Sequence, residues 1–297
     1  MNTRKLRDLI GTKTLLLITL FVSSLFFLIF ILLLSRSLLV LESHSIIEVL
    51  FSSIWNPDAG QFGLAAIIVD TILVTGFALL IAIPISLLSA IYIVEYAPRR
   101  LRKTIRPFID VLAGVPSVVY GLCAFLFLAP FVQNVIAPFF GAQSTGLCIF
   151  SAAIILSIMV FPIIISLCIE SFDAIPLSLK EASLSVGATK WETVKKVVFR
   201  ASAPSIIAAI LLGFGRAFGE TIAVNMVIGG TIRLPSSLFN PGETLASLIA
   251  SKYGELMSIP LHESALMLVA LILFIVVFLF YILGFLTLRR AKKRWKY

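Results

Sequence analysis

The sequence predicts an all-α membrane protein with six transmembrane helices, and three observations support this prediction. Of the 297 residues, 60% are hydrophobic and 13% are charged, and the mean hydropathy is +1.09. The apolar residues form uncharged runs that match the roughly 20 residues a helix needs to cross a bilayer. The basic residues are concentrated in alternate connecting segments. A soluble core of this length cannot bury so much apolar surface, which excludes a disordered chain, a coiled coil and an ordinary soluble domain.

Uncharged runs define the six predicted spans. The first, Leu15–Leu34, is too long for the core of a signal peptide and has no A-x-A-like site after it, so it is predicted to remain as an anchor. The uncharged stretch between Asp110 and Glu170 is long enough for two spans, which the polar piece Gln133–Thr145 divides. The other five spans are predicted at Thr71–Val94, Val111–Val132, Gly146–Ile169, Pro204–Ile228 and Ser264–Leu288.

The distribution of basic residues predicts the orientation of these spans. Four Lys or Arg precede the first span, five lie in Tyr96–Pro107, five lie in Ser171–Ser202 and six follow Leu288. These four segments share one side of the membrane and hold 20 of the 24 basic residues. The positive-inside pattern therefore predicts that both termini are cytoplasmic. It also accounts for the net charge of +9 through topology and lipid headgroups, so no nucleic-acid partner is predicted.

The residue types needed for catalysis or metal binding are scarce. The three cysteines lie in apolar runs without C-x-x-C spacing, and the two histidines are far apart. No HExxH motif points to an intramembrane enzyme, and no G-x-x-x-x-G-K-[ST] motif is present to hold ATP. An ion-driven secondary transporter would show repeated halves, which are not evident. We therefore predict a protein that is not an enzyme and has neither a cofactor nor a metal site.

The longest cytoplasmic loop, Ser171–Ser202, predicts two short helices that meet at a glycine. Pro176 suits the first turn of a helix, and Gly187 suits a helix stop. Thr189 followed by Glu192 is a capping-box pattern that opens the second helix. The loop could be an amphipathic hairpin on the membrane surface or a docking site for a cytoplasmic partner. The two long outer segments, 40–62 and 231–263, could be interfacial or re-entrant helices, or a platform for an outside partner.

Ionisable residues inside spans are expensive in lipid and are functional candidates for that reason. Arg216 and Glu220 are four residues apart, which predicts that they share one helix face. They could neutralise each other, or Arg216 could face a translocation path and bind an anion. Arg216 lies about 18 Å from the predicted cytoplasmic start of its span at Pro204, near the bilayer midplane. Asp70 could be a partner of either residue or have a packing role.

Polar and helix-breaking residues mark two further stretches of the predicted path. Gly114, Pro116 and Ser117 interrupt the third span, where the freed backbone groups and the hydroxyl could line the path. The alternative is a packed proline kink. Thr221 and Asn225 extend the polar face next to the glutamate of the fifth span.

Several stretches resemble a known transporter family. Glu181-Ala-Ser with Gly187 six residues after the glutamate resembles the EAA motif of binding-protein-dependent ABC importer permeases, although Ser183 replaces the second alanine. Across Trp55–Leu288 the chain is similar to the PstC-type permeases of phosphate-specific ABC importers, from which Asp70 departs because a small neutral residue is expected there. The segments that carry this resemblance are LAGVPSVVYG (112–121), SVGATKWETVKKVV (185–198), GFGRAFGETIAVNMVIGG (213–230) and TLASLIASKYGE (244–255).

The resemblance implies a type I, MetI-like permease core over residues 63–288, after a tail, first span and outer segment at 1–62 and before a basic tail at 289–297. It implies a permease subunit of an ATP-driven phosphate importer in the bacterial inner membrane; the alternative is an importer of another oxyanion, molybdate or sulfate. The implied partners are a second, PstA-like permease, a dimer of ATP-binding subunits and an extracytoplasmic phosphate-binding protein, with membrane lipids around them.

The resemblance and the charge pattern together define two sets of site residues. The residues expected along the substrate path are Arg216, Glu220, Ser117, Thr221, Asn225 and Asp70. In the family, the helix of the EAA motif is the coupling helix that contacts the ATPase. The residues expected to couple the chain to that ATPase are Glu181, Ala182, Ser183, Gly187, Ala188 and Trp191.

Overall fold

The computed structural model describes residues 3–256 and 258–294, and these are mostly helical. The elements of the first half are α1 (Thr3–Ser43), α2 (Ile46–Phe51), β1 (Trp55–Asn56), β2 (Gln61–Phe62), α3 (Ala65–Ile91), α4 (Arg99–Gly114), α5 (Ser117–Cys123), α6 (Ala129–Phe131) and α7 (Ala137–Phe139). Those of the second half are α8 (Ile149–Asp173), α9 (Leu177–Ser185), α10 (Lys190–Thr193), α11 (Phe199–Ala201), α12 (Ala203–Gly219), α13 (Ile222–Ile228), α14 (Leu245–Leu256) and α15 (Pro260–Arg294). Short π-helical turns at Tyr92–Tyr96, Ala124–Leu128, Val132–Ile136 and Val194–Val198 extend or join α3, α5, α6, α7, α10 and α11.

Five helical segments of the described chain are long and apolar enough to span a membrane. They are Gly11–Ser43, Ala65–Tyr96, Ser117–Phe139, Ile149–Asp173 and Pro260–Arg290. A sixth is present if Lys190–Ala201 and Ala203–Gly219, which meet at a 70° bend, count as one span. The first of these two helices carries the basic residues of the cytoplasmic loop, and the second is the apolar α12. We therefore take α12 as the membrane-crossing part, which confirms the predicted number of spans.

The third span differs from the prediction of Val111–Val132. Helix α4 ends at Gly114, and Val115 and Pro116 are both extended. Proline disfavours a helical residue before it and donates no backbone hydrogen bond, so a new helix begins at Ser117. The span then runs to Phe139 and so includes more than half of Gln133–Thr145, the polar segment that was predicted to separate the third and fourth spans. The helix is thus broken rather than kinked, and α4, with its five basic residues, precedes the span.

The centre of the molecule is formed by α3, α8 and α12. The buried face of α3 includes a row of small residues, Ala78, Ala82 and Ser86, which allow the helices to approach closely. Helix α8 contributes the large buried side chains Leu156, Ile164 and Phe172. Helix α1 lies at the periphery, where Phe26 packs against the aromatic rings of α15. The predicted first span therefore lies in a longer helix that is attached to the last one.

The two outer segments pack on each other. Strands β1 and β2 pair antiparallel with Trp55 opposite Phe62, and α2 and α14 are the short helices that the sequence allowed. The His262 imidazole lies 2.9 Å from the Pro57 carbonyl oxygen. Phe62 and residues of α14 and α15 share one apolar cluster. The predicted basic tail begins within α15, which continues to Arg294; residues 295–297 lie outside the described residues.

Candidate functional site

The predicted fifth span, Pro204–Ile228, is discontinuous. Helix α12 ends at Gly219, Glu220 has an extended backbone with ψ of 125°, and α13 begins two residues later. The Thr221 hydroxyl donates to the Gly219 carbonyl at 3.0 Å, which satisfies one backbone acceptor at the break. Breaks of this kind are tolerated inside a membrane where the freed groups line a cavity or are covered by protein.

The helix break at Glu220 leaves Arg216 and Glu220 at the end of one helix without bringing their charges together. Glu220 has a helical φ of −70° and an extended ψ of 125°, so the chain leaves the helix after this residue, and Oε1 lies 3.5 Å from the Ala223 backbone nitrogen. Arg216 is exposed on the surface of the chain. Among the described residues, no carboxylate lies within salt-bridge distance of its guanidinium. The alternative that Arg216 and Glu220 neutralise each other through a salt bridge is therefore wrong for the isolated chain.

Helix α5 brings other polar residues near this arginine. It packs against α13, and the two backbones meet at Gly121, where a Cβ atom would lie only 2.9 Å from the Ala223 Cα. Ser117 and Asn225 therefore lie on neighbouring helices, as a common path requires. The Tyr120 hydroxyl lies within electrostatic range of Arg216 and donates to the Leu112 carbonyl at 2.9 Å.

Sequence reasoning did not identify Tyr120 as a site residue. A signal was available, because this phenol stands one helical turn after Ser117 in the interrupted span. Its hydrogen bond reaches back across the Val115–Pro116 break to the end of α4. Tyr120 therefore joins the two sides of the break and lies within electrostatic range of the arginine.

Asp70 does not act as the expected partner of Arg216 or Glu220. It is completely buried, and its Oδ2 accepts a hydrogen bond from the Glu243 backbone N–H at 3.0 Å. The next residue, Thr71, accepts from the Leu245 backbone N–H at 3.0 Å. Asp70 Oδ1 is buried without a hydrogen-bond partner among the described residues. Asp70 therefore holds the outer segment before α14 against the outer end of α3.

A second buried carboxyl lies on the segment that Asp70 holds. Glu243 is 3% exposed, and the Ser247 hydroxyl donates to its Oε1. Burial raises the pKa of Glu243, and the Ser247 hydrogen bond and the Lys252 charge offset only part of that effect. The pKa of Glu243 is raised when the segment before α14 packs against α3, an arrangement we call docking. Protonation of Glu243 therefore favours docking.

Docking of this segment is therefore expected to weaken as the pH rises from about 4.3, the ordinary pKa of a glutamate, through the raised pKa of docked Glu243. Glu243→Gln keeps the Oε1 acceptor and removes the charge, so docking should depend less on pH. The measurement is hydrogen exchange of the backbone amides of residues 243 and 245 over a pH series. Glu255→Gln, on the exposed end of α14, is the matched control. An unchanged pH dependence in Glu243→Gln would contradict this explanation.

The loop predicted to couple the chain to an ATPase has the expected two-helix form. Helix α9 follows Pro176 and ends at Ser185, and Gly187 has a φ of +85°. The Thr189 hydroxyl accepts from the Glu192 backbone N–H at 3.2 Å, and the Glu192 carboxylate accepts from the Thr189 backbone N–H at 2.9 Å. This pair is the predicted capping box. Positive φ is a conformation that side chains of L-residues disfavour, which explains the glycine between the helices.

The loop exposes apolar side chains together with most of the predicted coupling residues. Glu181, Ala182 and Gly187 are exposed, Ala188 is half-buried, and no residue of α9 is buried. The half-buried Ser183 contacts the Thr193 hydroxyl at 3.0 Å and so ties α9 to α10. The exposed apolar side chains are those of Leu177, Leu179, Leu184 and Val186. An apolar patch of this kind on a polar loop is typical of a protein interaction site.

Trp191 stands apart from the other predicted coupling residues. It lies on α10 and lines a groove of about 550 Å³ together with Pro84, Leu87 and Leu88 of α3. Its indole therefore lies beside the C-terminal half of α3 rather than on the exposed surface of α9. Among the described residues, no cluster of three or more His, Cys, Asp or Glu could hold a metal ion.

Comparison with known proteins identifies the family. The family described as "binding-protein-dependent transport system inner membrane component" matches residues 82–294. The phosphate transport system permease protein PstC of Xylella fastidiosa strain 9a5c is 37% identical over 258 residues, which cover 82% of this chain and 79% of that protein. YqgH of Bacillus subtilis strain 168, described as a probable ABC transporter permease protein, is also 37% identical and covers 82% and 78%. A probable phosphate transport permease of Methanocaldococcus jannaschii is 34% identical and covers 83% of each chain.

Solved structures of ABC importers share the fold. A chain of the inward-facing methionine transporter MetNI matches with a TM-score of 0.62 at 18% identity, covering 80% of this chain and 99% of that one. A bacterial ABC transporter that imports alginate matches with a TM-score of 0.55 at 16% identity, covering 76% and 78%. The fold of this chain is thus that of a MetI-like ABC importer permease. The chain belongs to the family of binding-protein-dependent transport system inner membrane components.

Proposed function

We propose that this chain is a permease subunit of an ATP-driven importer of inorganic phosphate. The observation that carries the proposal is the exposed Arg216 beside the break between α12 and α13, which has no salt-bridge partner in the described part of a chain 37% identical to a phosphate transport permease. A guanidinium offers a fork of hydrogen-bond donors that matches the oxygens of phosphate and stays charged at any physiological pH. An unpaired arginine in a span requires polar surroundings in the assembled transporter.

The substrate path is proposed to run past the break between α12 and α13 and along α5, which packs against α13. Arg216 supplies the charge, and Ser117, Thr221 and Asn225 supply neutral hydrogen-bonding groups on neighbouring elements. Glu220, at the break, limits how tightly an anion is held because its charge opposes that of the anion. Asp70 is assigned the anchoring of the outer segment instead of a place on the path, since its hydrogen bond goes to Glu243.

The assembly is proposed to contain a second, PstA-like permease, two ATP-binding subunits and an extracytoplasmic phosphate-binding protein. The exposed apolar residues of α9 and the neighbouring Glu181 and Gly187 form the surface for the ATPase. The packed outer segments, including α2 and α14, form the surface for the binding protein. Residues 63–288 are proposed as the permease core, since α1 precedes the family match at 82–294.

The proposed function is tested by transport in liposomes. The complex that co-purifies with this chain is reconstituted with an extracytoplasmic phosphate-binding protein, and ATP-dependent uptake of radioactive phosphate, sulfate and molybdate is compared. All three are tetrahedral oxyanions, so the comparison separates phosphate transport from the alternatives. We expect phosphate uptake that is not reduced by excess sulfate. Preferred uptake of sulfate or molybdate would contradict the proposed substrate, and uptake independent of ATP would contradict the mechanism.

The proposed orientation places both termini and the coupling loop in the cytoplasm. Cysteine in place of Lys103 or Lys190 should be protected from an impermeant thiol reagent applied to intact cells, whereas cysteine in place of Asn240 should react. The first two positions lie in the basic segments, and Asn240 lies in the outer segment before α14. The measurement is labelling in intact cells compared with permeabilised cells. Labelling of Lys190→Cys from outside would reverse the assignment.

A further inference from the structure

A half-buried ion pair connects the coupling loop to a membrane-spanning helix. The Lys180 Nζ of α9 lies 2.6 Å from Oε1 of Glu95, in the π-helical turn that extends α3. The two side chains are only 15% and 12% exposed. By contrast, the pair between Lys196 and Glu192 on the same loop is open to solvent. Removing one partner of a shielded pair leaves an uncompensated charge, whereas exposed pairs contribute little.

The contacts around this pair make the two helices of the loop one unit. The Ser183 and Thr193 hydroxyls, 3.0 Å apart, join α9 to α10. The Lys190 ammonium, at the start of α10, lies 4.7 Å from the ring centroid of Tyr96, the last residue of the π-helical turn. Both helices of the loop are therefore attached to the same end of α3, one through an ion pair and the other through a cation–π contact.

Helix α3 is suited to carry movement across the membrane. Together with its π-helical turn it is continuous from Ala65 to Tyr96. Asp70 at its outer end holds the Glu243 backbone N–H, and Glu95 at its inner end holds Lys180. These two positions are 25 residues apart, about 38 Å along a helix. Between them α3 packs against α8 and against α12, which carries Arg216.

We propose that the Glu95–Lys180 ion pair is the joint through which movement of the coupling loop is transmitted to α3, and from there to the path and the outer segment. The proposal rests on the proposed function, in which α9 contacts the ATPase. No residue of α9 is buried, so apolar packing does not hold this helix firmly to the spans. The ion pair supplies the directional attachment that packing does not. Glu95 and Lys180 are thus positioning residues: they move the path without contacting the substrate.

The test measures oxyanion uptake and ATP hydrolysis in the same reconstituted complex, and uses their ratio. Glu95→Gln and Lys180→Met should each leave the complex assembled and hydrolysing ATP, while the amount of anion imported per ATP falls about tenfold. The charge exchange Glu95→Lys with Lys180→Glu rebuilds the pair and should restore the ratio to within about twofold. Lys180→Arg keeps the charge and should retain most of the ratio. Lys196→Met, which breaks the exposed pair of the same loop, is the matched control and should not change it.

A purely structural role predicts a different pattern. In that case the single variants would lose ATPase from the purified complex in proportion to uptake, and the ratio would stay at the wild-type value. Either that result, or a charge exchange that transports no better than the single variants, would overturn the proposal. The ratio is taken for whichever oxyanion the wild-type complex imports, so a wrong substrate assignment leaves this test intact. Absence of ATP-driven uptake in the wild-type complex would instead contradict the proposed function itself.

Discussion

Replacing Arg216 with leucine is expected to reduce phosphate uptake by about a hundredfold or more, because an anion near the midplane loses a charged hydrogen-bonding partner. Assembly of the complex should be unaffected. The arginine is exposed on the chain and has no salt-bridge partner among the described residues, so its removal leaves no buried countercharge behind. Leucine at this position also removes the free-energy cost of a charge inside the membrane, which is roughly 2.5–3.5 kcal/mol on insertion scales. The measurement is initial phosphate uptake, normalised to the amount of assembled complex.

Two further variants define what the arginine provides. Arg216→Lys keeps the charge but loses the planar fork, so partial activity is expected if charge alone guides the anion. The double variant Arg216→Leu with Glu220→Leu should be as inactive as Arg216→Leu, because the two residues form no salt bridge among the described residues and the anion still loses its charged partner. If the two residues only neutralised each other, the double variant would transport phosphate normally. Wild-type uptake by Arg216→Leu would show that this residue does not serve the path.

Replacing Gly187 with valine is expected to uncouple the ATPase, with a loss of about tenfold in co-purified ATPase or in ATP-dependent uptake. Gly187 has a φ of +85°, and left-handed conformations cost L-residues about 1–2 kcal/mol, more for a β-branched side chain. A Cβ atom here would meet no other atom within 4 Å, so the backbone conformation, and not a lack of space, makes the substitution harmful. The turn between α9 and α10 would then have to change, which moves Leu184 and Val186 relative to α10.

Asparagine provides the matched control at the same position. It adopts positive φ far more readily than valine, so Gly187→Asn should retain most of the coupling despite its larger side chain. The control for a general glycine effect is Gly11→Val on α1, where φ is not positive and the surrounding space is also open. The measurements are the amount of ATPase bound per permease and the rate of uptake. Equal loss in Gly187→Val and Gly187→Asn would mean that side-chain size, and not backbone conformation, is what the loop cannot tolerate.

Structural features that depend on residues close together in the chain were predicted well from the sequence. Pro176, Gly187 and the Thr189–Glu192 capping box act within a few residues of the chain, and the structure has them as predicted. The break at Pro116 was also predicted, but its consequence was underestimated. Proline restricts the preceding residue and removes a donor, and this does not say whether the helix bends or ends. Packing of the next helix against α13 at Gly121 accompanies a complete break here.

Structural features that depend on residues far apart in the chain were predicted less well. The spacing of Arg216 and Glu220 predicts a shared helix face, but it does not predict that the helix ends at Gly219, directly before the glutamate. No local residue required that end, since the same spacing is compatible with an uninterrupted span. Asp70 was a plausible partner for either charge, yet it accepts a hydrogen bond from a backbone amide 173 residues later. A contact between residues so far apart in the chain cannot be predicted from hydrophobic periodicity, which reports only which face of a helix is buried.

By itself, the sequence determined that the protein is a multi-pass membrane protein with a helical loop between its fourth and fifth spans. Bilayer thickness, the cost of charges in lipid and helix capping act along the chain, so these properties can be derived from consecutive residues. Only the tertiary structure decided which groups meet: Asp70 with Glu243, Lys180 with Glu95, and Arg216 with no carboxylate among the described residues. In a buried environment each polar group takes the nearest partner that packing leaves within reach, and packing is a property of the whole set of helices.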